Sequence, residues 1–286
     1  MPELPEVETT RKGISPHILS KRVKCLDVRE RKLRWPIPDD LEFQLVGREL
    51  QAVNRRAKYL LLEFEHGTLL IHLGMSGSLR VLKNDDASSD HYPELPPPSK
   101  HDHVDIVFEG KDGQVTCLRY NDPRKFGAVL WLDDADQSSH LIHLGPEPLS
   151  DDFSGHHLHK QASRRSVPVK NFIMDNKVVV GVGNIYANEA LFRSGIRPDL
   201  SVSKIGRTRF NRLAECIKEV LAAAIKQGGT TLKDFVGGDG KPGYFQQQLQ
   251  VYGRSGLPCH VCGTALKEIR MQGRSTVYCP KCQKGR

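Results

Sequence analysis

Four cysteines near the C-terminus constrain the fold of this chain more than any other feature. They form two Cys-x-x-Cys pairs with 16 residues between the pairs, and they are Cys259, Cys262, Cys279 and Cys282. A Cys-x-x-Cys turn aims both sulfurs at one point, so two such turns supply the tetrahedral thiolate set that Zn²⁺ prefers. The insert between the pairs is long enough for a β-hairpin. The spacing therefore predicts one structural zinc ion in a ribbon, with no coordination position left open for catalysis.

Positive charge is concentrated in the same segment. The 286-residue chain has a net charge of +8, and residues 250–286 contain seven basic residues and one acid, a net +6. Basic clusters of this kind attract the phosphate backbone of nucleic acids. The ribbon is therefore predicted to contact DNA or RNA, and a zinc clip that binds no ligand is the alternative.

The rest of the chain indicates a cytosolic protein. The other three cysteines are scattered singly, and the N-terminus has no apolar signal-peptide core. No apolar run approaches the roughly 20 residues that a membrane-spanning helix needs. We therefore expect reduced thiols, a cytosolic location and no membrane partner.

The hydrophobic period changes near the middle of the chain. A helix is expected over 5–19, and short β-rich runs separated by turn signals follow in 20–133. Those runs are 22–28, 49–54, 59–64, 68–73, 78–81, 104–108, 115–120 and 128–132. After an acidic stretch, helical patterns cover 184–192, 207–227 and 231–236.

These patterns predict an α+β protein. An N-terminal helix and a β-sandwich form its first part, and a helical region followed by the ribbon hairpin forms its second part. The predicted bounds are 1–133 for the β-sandwich domain, 134–150 for a linker, 151–249 for a helical domain and 250–286 for the zinc ribbon.

The N-terminus offers a candidate nucleophile. If Met1 is removed, Pro2 carries a secondary α-amine. The pKa of an α-amine is about 8, whereas that of a Lys side chain is about 10.4. An unprotonated fraction at neutral pH could attack a sugar C1′ and form an iminium ion. Glu3 could serve as acid or base and Glu6 could position the amine. The same residues also suit an ordinary helix start, and both interpretations remain open on spacing alone.

Six motifs precede the ribbon in a fixed order. They are MPELPEVETTRKGI (1–14), RRAKYLLLE (55–63), HLGMSGSLR (72–80), NDPRKFG (121–127), VVGVGNIYANEALF (179–192) and QGGTTLKDF (227–235). Together with the ribbon they resemble the bacterial formamidopyrimidine-DNA glycosylases over essentially the whole chain. The resemblance implies a helix–two-turn–helix region in the C-terminal half. It also implies a repair enzyme that excises oxidised purines, such as 8-oxoguanine and formamidopyrimidines, and nicks the abasic site by β,δ-elimination.

The resemblance assigns catalytic roles to four residues. Pro2 would be the Schiff-base nucleophile and Glu3 its general acid–base partner. Lys58 would be a second proton donor, used in β-elimination. Arg274, which falls where the hairpin tip is expected, would serve δ-elimination and contact a phosphate.

The resemblance also assigns DNA contacts. Met75, Arg124 and Phe126 would form a wedge that fills the gap left by the extruded base. The implied backbone contacts are His101, Arg124, Arg165 and Asn184, the last from a helix N-terminus. The loop 237–243 matches the one that covers the flipped base.

The implied partner is damaged double-stranded DNA, bound by a monomer with one zinc ion and no nucleotide cofactor. Gly181-x-Gly183 hints at dinucleotide binding, but Tyr186 replaces the third glycine and no βαβ unit surrounds it. A related endonuclease VIII type prefers oxidised pyrimidines, and Leu4 argues against it because that branch typically has Gly there. A non-enzymatic zinc-ribbon DNA-binding protein is the alternative from a different class.

Overall fold

The computed structural model describes residues 2–83, 96–228 and 249–285, and these fall into two compact units. The first unit contains Pro2, 6–83, 96–142 and Gly228, and the second contains 3–5, 143–227 and 249–285. The expected helix at 231–236, the loop 237–243 and residues 84–95 lie outside the described residues. The four-part division of the chain stays a prediction.

The first unit is a β-sandwich with an N-terminal helix. Its helices are α1 (Leu4–Ile18), which belongs to this unit from Glu6 onward, and the short α2 (Leu41–Leu45). One antiparallel sheet has the strand order β1-β6-β7-β5, and the other has the order β2-β3-β4-β8. The strands are β1 (Arg22–Val28), β2 (Ala52–Arg56), β3 (Tyr59–Phe64), β4 (Gly67–His72), β5 (Ser78–Lys83), β6 (Asp102–Glu109), β7 (Val115–Asn121) and β8 (Ala128–Leu132).

One apolar core serves both sheets and α1. In the second sheet, Leu60 lies opposite Ile71 and Leu62 lies opposite Leu69, and all four side chains are fully buried. Pairs of this kind are the unit of sheet stabilisation. The eight expected β-rich runs are all strands, with ends that differ from the expected ones by at most three residues.

The second unit is helical and ends in the ribbon. Its elements are α3 (Gly155–Ala162), α4 (Val169–Ile173), α5 (Asn184–Arg193), a 3-10 turn (Val202–Lys204), α6 (Arg207–Lys226), β9 (Lys267–Met271) and β10 (Arg274–Tyr278). α6 packs on both α3 and α5 through its apolar stripe, which includes Phe210, Leu213 and Ile217. The helix α3 was not expected from the sequence, although Ser154 marks its start by accepting a hydrogen bond from the His157 N–H.

The predicted α+β class is therefore confirmed, with two antiparallel sheets, a helical second unit and a terminal two-stranded hairpin. Among the described residues, no helix combines the length and the apolar character needed to cross a bilayer.

Candidate active site and zinc-binding ribbon

The four ribbon cysteines converge on one point. Their sulfur atoms all lie within 4.8 Å of one another. The Cys259 and Cys282 sulfurs are 3.9 Å apart, and those of Cys262 and Cys279 are 3.5 Å apart. Four sulfurs at the usual Zn–S distance would be separated by roughly 3.8 Å in a tetrahedron. The predicted zinc site is confirmed, and because its ligand set is closed the metal is structural.

The ribbon hairpin presents Arg274 beside its tip. Gln272 and Gly273 form the turn between β9 and β10, with φ values of +49° and +73°. Two consecutive positive φ angles are typical of the tight turn that matches strand twist. The Arg274 side chain is exposed as the first residue of β10, where a cation can reach an external phosphate.

Helix α5 anchors the ribbon through polar side chains. The Asn184 Nδ2 donates to the Ser275 carbonyl at 3.1 Å, and the Asn188 Oδ1 accepts the Val277 N–H at 2.8 Å. The Glu189 carboxylate accepts three consecutive backbone N–H groups, from residues 250, 251 and 252, at 2.9–3.0 Å. Burial raises the pKa of Glu189, while these three donors oppose the shift. The ribbon is thus fixed to the helix that begins at the GVGN motif.

The same motif holds the Glu3 carboxylate. The Asn184 N–H, at the start of α5, donates to Glu3 Oε1 at 2.8 Å. A Cβ at position 183 would lie 1.7 Å from Glu3 Cδ, so only glycine allows this approach. Gly181 has a φ of +75°, and a Cβ there would lie 2.4 Å from Leu4 Cδ1. The two glycines make room for the N-terminal segment rather than forming a phosphate loop.

Lys170 is a functional candidate that the sequence reasoning missed. It is 1% exposed, and its ammonium donates to Thr276 Oγ1 at 2.6 Å and to the Ser275 carbonyl at 3.2 Å. Burial and the nearby Arg274 lower the pKa of Lys170 to about 8, and Glu3 opposes the shift. A perturbed lysine beside two predicted catalytic residues is a marker of a functional site. Its apolar sequence context, PVKNFI, gave no signal.

Arg165 and Arg274 share the wall of a cavity of about 340 Å³. Arg165 lies over the Phe172 ring at 5.7 Å, and its guanidinium is 3.8 Å from the Asp175 carboxylate. The cavity brings two predicted phosphate contacts to one surface of the second unit.

In the first unit, Pro2 and Glu6 are both buried. The Glu6 carbonyl accepts the Thr10 hydroxyl at 2.9 Å within α1. Both residues precede or occupy the early turns of this helix, as the sequence predicted.

Lys58 lies in the tight turn that joins β2 to β3, after Ala57 with a φ of +54°. It acts electrostatically on His72, whose ring is 5.0 Å from that of Tyr59. Burial, then Lys58 and Arg34, lower the pKa of His72 to about 4, so the imidazole is neutral at pH 7. His72 begins the HLGMSG motif, and the sequence reasoning missed it.

The three predicted wedge residues lie on two neighbouring loops, residues 73–77 between β4 and β5 and residues 122–127 between β7 and β8, which we call the wedge loops. The Arg124 guanidinium is 3.9 Å from the Met75 sulfur. Met75 is 38% exposed and Phe126 is 46% exposed, although most large apolar side chains of this unit are buried. His101 is half-buried at the start of β6, beside the same loops. The structure therefore brings together the predicted contacts of the first unit and presents apolar tips to the outside.

Three family models match successive parts of the chain. Residues 1–129 match a model described as the formamidopyrimidine-DNA glycosylase N-terminal domain. Residues 144–236 match the H2TH domain of the same enzymes, and residues 256–285 match a zinc finger found in FPG and IleRS. The chain is 57% identical to the formamidopyrimidine-DNA glycosylase of Stutzerimonas stutzeri and 56% identical to that of Methylococcus capsulatus, covering 99% of this chain and all of each relative.

The chain belongs to the formamidopyrimidine-DNA glycosylase family. Solved structures of this family share its fold. The MutM (Fpg) protein of Thermus thermophilus is 35% identical with a TM-score of 0.83, over 99% of this chain and 98% of that one. A mutant of the Lactococcus lactis Fpg, in complex with a Fapy-dG containing DNA, is 30% identical with a TM-score of 0.86, over 99% and 100%.

Proposed function

We propose that this chain is a base-excision-repair DNA glycosylase and abasic-site lyase. Its substrates are oxidised purines, 8-oxoguanine and formamidopyrimidines, in duplex DNA. The proposal rests on the position of the Glu3 side chain. Glu3 follows Pro2 in the chain, and its Oε1 accepts the first N–H of α5, from Asn184, at 2.8 Å. A carboxylate fixed in this way can exchange protons beside a secondary amine. A monomer in the bacterial cytosol, acting at the nucleoid without a nucleotide cofactor, completes the proposal.

The reaction begins once Met1 is removed. The Pro2 nitrogen attacks C1′ of the damaged nucleotide, the glycosidic bond breaks, and the base leaves with a proton supplied from the site. Ring opening of the sugar then gives an iminium ion between Pro2 and C1′, with Glu3 moving the protons. Loss of a C2′ proton expels the 3′ phosphate, which is β-elimination, and a second elimination expels the 5′ phosphate. Lys58 assists the first elimination and Arg274 the second.

Damaged DNA is supported as the partner by the family's solved complexes. Lactococcus lactis Fpg has been solved with an abasic-site containing DNA. In this chain, His101, Arg165 and Asn184 would bind backbone phosphates. Met75, Arg124 and Phe126 would enter the helix, with a thioether and an aromatic ring against the stack and a guanidinium toward the opposite base.

Duplexes that carry one defined lesion each test the proposal. We expect β,δ-elimination ends on 8-oxoguanine opposite cytosine, and a covalent protein–DNA adduct when borohydride reduces the iminium ion. Pro2→Gly should form far less adduct than the wild type. A preference for oxidised pyrimidines would favour the endonuclease VIII type. Tight binding without any adduct from Met1-processed protein would favour a non-enzymatic DNA-binding protein.

Glu3→Gln separates chemistry from binding. Because general acid–base groups contribute about 10²–10⁴-fold to rate, we expect base excision in single-turnover assays to fall at least about 100-fold. DNA affinity should change by less than about threefold, since no proposed DNA contact is removed. Glu42→Gln, on the short helix α2, is the matched control and should leave both quantities unchanged. A loss of binding that equals the loss of rate would contradict the assigned role.

A further inference from the structure

Asp122 is a fully buried carboxylate at the centre of the two wedge loops. It directly follows β7 and has no exposed surface. Its side chain accepts four hydrogen bonds. Oδ1 accepts the Ser76 hydroxyl at 3.2 Å and the Arg124 N–H at 3.3 Å. Oδ2 accepts the Gly127 N–H at 2.8 Å and the Tyr120 hydroxyl at 3.2 Å.

Three of the four donors come from the two loops, and the fourth, Tyr120, lies in β7. Ser76 follows Met75, and Gly127 follows Phe126, while the Arg124 N–H belongs to a wedge residue itself. Burial raises the pKa of Tyr120, so its hydroxyl keeps the proton that it donates. One carboxylate thus ties together the backbone around all three wedge tips.

The backbone of Asp122 extends the connection to a third segment. Its N–H donates to the His101 carbonyl at 3.0 Å, and its carbonyl accepts the Lys125 N–H at 3.2 Å. The same carbonyl lies 2.8 Å from the His103 Nε2. The predicted phosphate contact at His101 is therefore bonded to the residue that orders the wedge.

Glycines bring the two loops into backbone contact at this point. A Cβ on Gly74 would lie 2.6 Å from the Gly127 nitrogen, and a Cβ on Gly127 would lie 1.8 Å from the Tyr120 hydroxyl. Lys125 adopts a φ of +54°, an unusual conformation for a non-glycine residue. Such conformations persist only when the surrounding structure determines them. The Asp122 carbonyl holds the Lys125 N–H, and the carboxylate of the same residue joins the two loops on either side of it.

We propose that Asp122 is a positioning residue that sets the geometry of the wedge and thereby controls extrusion of the damaged base. This inference rests on the proposed function. Met75, Arg124 and Phe126 lie outside the strands, and their mutual placement depends on the loops that Asp122 joins. A misplacement of about 1 Å far from the reacting atoms can reduce a rate by on the order of 100-fold.

Base extrusion and strand cleavage should depend on Asp122 to different degrees. Extruding a paired base costs energy that the wedge must offset, and the cost is smaller where pairing is already lost. An abasic site has no base to extrude. A variant with a disordered wedge should therefore lose glycosylase activity and retain most of its lyase activity on a pre-formed abasic site.

Asp122→Asn and Asp105→Asn form a matched pair for the experiment. Asp105 is 4% exposed in the same unit and pairs with Arg119 and Arg29, away from the wedge loops. Asn at 122 would place an amide N–H₂ against either the Ser76 and Arg124 donors or the Gly127 and Tyr120 donors. We expect single-turnover excision of 8-oxoguanine by Asp122→Asn to fall at least about tenfold. Cleavage of the abasic duplex should fall less than about threefold.

Asp105→Asn should lower both activities by one common factor, after correction for the folded fraction. Equal losses of the two activities in Asp122→Asn would overturn the proposal, because they would indicate a general structural role. Ser76→Ala serves as a second variant if Asp122→Asn folds poorly. It removes one of the four hydrogen bonds, so it should also lower excision more than abasic-site cleavage, by a smaller factor. Equal losses in Ser76→Ala would overturn the proposal too.

A change in the substrate gives an independent readout. When mismatches replace the base pairs that flank the lesion, the stack opens more easily, and the excision defect of Asp122→Asn should shrink at least about threefold. A defect that is the same on both duplexes would overturn the proposal. If the wild type excised no oxidised purine, the proposed function itself would fail, and the two failures are therefore distinguishable.

Discussion

The β-sandwich and the zinc ribbon are stabilised by different means. The sandwich has a continuous apolar core to which both sheets, α1 and α2 contribute. The cluster around the ribbon is small. Its buried members are Phe192, Val251, Cys259, Leu266, Val277 and Cys279. Two of these are metal ligands, and Phe192 belongs to α5.

The difference follows from size. The 37 residues of 250–286 are too few to bury enough apolar surface alone, and segments below about 40 residues usually need a metal or disulfide. The stability of the ribbon therefore depends on its zinc ion and on the hydrogen bonds that α5 makes to it, whereas the stability of the sandwich depends on apolar burial. The basic surface that contains Arg274 is therefore folded only when zinc is bound. The wedge loops belong to the sandwich, so their structure does not depend on the metal.

Loss of a zinc ligand should have the largest effect, because it should unfold the ribbon and leave the sandwich folded. Structural zinc supplies on the order of 10 kcal/mol of folding free energy, so Cys279→Ser should release the metal and unfold the ribbon. We expect the zinc content to fall from one ion to near zero and DNA affinity to fall at least about tenfold, since the basic ribbon is lost. Metal analysis and DNA titration measure both.

Cys117→Ser is the matched control for that experiment. Cys117 is as fully buried as Cys279 but lies in β7, and burial raises the pKa of its thiol to about 12. It behaves as a small apolar side chain. The substitution should cost about 1–3 kcal/mol of sandwich stability and leave the zinc content at one. Zinc loss in both variants would break the distinction between the two regions.

Loss of a hydrogen bond between α5 and the ribbon should have an intermediate effect on the stability of the ribbon. In Glu189→Gln, an amide N–H₂ replaces one carboxylate oxygen that accepts a backbone N–H, which should cost about 1–3 kcal/mol. The first residues of the ribbon should then exchange amide hydrogens faster, and a chelator should remove zinc sooner. Glu63→Gln, whose amide oxygen can still accept the exposed Asn54 Nδ2 bond, should change neither. Unaltered exchange in Glu189→Gln would show that zinc alone holds the ribbon in place.

A fall in pH should produce the smallest effect, and this effect should be on the free energy of unfolding of the sandwich. Burial raises the pKa of Asp102, but hydrogen bonds from Asn121 and the Ser99 N–H outweigh burial. Arg80 adds to them, and the pKa falls to about 2. Because the folded pKa lies below the unfolded value of about 3.9, the stabilisation is complete above about pH 4 and is lost as the pH falls toward 2.

The size of this acid effect is up to about 2 kcal/mol. Denaturant unfolding between pH 5 and 2 should show it in the wild type, and the slope should be shallower in Asp102→Asn. An identical pH dependence in the two proteins would mean that other carboxylates account for acid sensitivity.

Much of the architecture could be predicted because its signals are local. Alternation of apolar and polar residues, as in Leu79, Arg80 and Val81 of β5, indicates strands, and turn residues mark their ends. The short helices α2 and α4, five residues each, were missed because they are too short to show a helical period. Asp122 was visible only as a turn residue in the NDPRKFG motif.

The sequence by itself determined the zinc ligands, the class of fold and the family, since each depends on spacing or on motif order. Tertiary structure alone decided that Glu3 meets Asn184, 181 residues further along the chain. It also decided that Lys170 lies under β10 and that Asp122 joins two loops. Periodicity reports which face of an element is apolar. It carries no information on which distant donor a buried carboxylate or ammonium meets, because packing of the whole unit selects that partner.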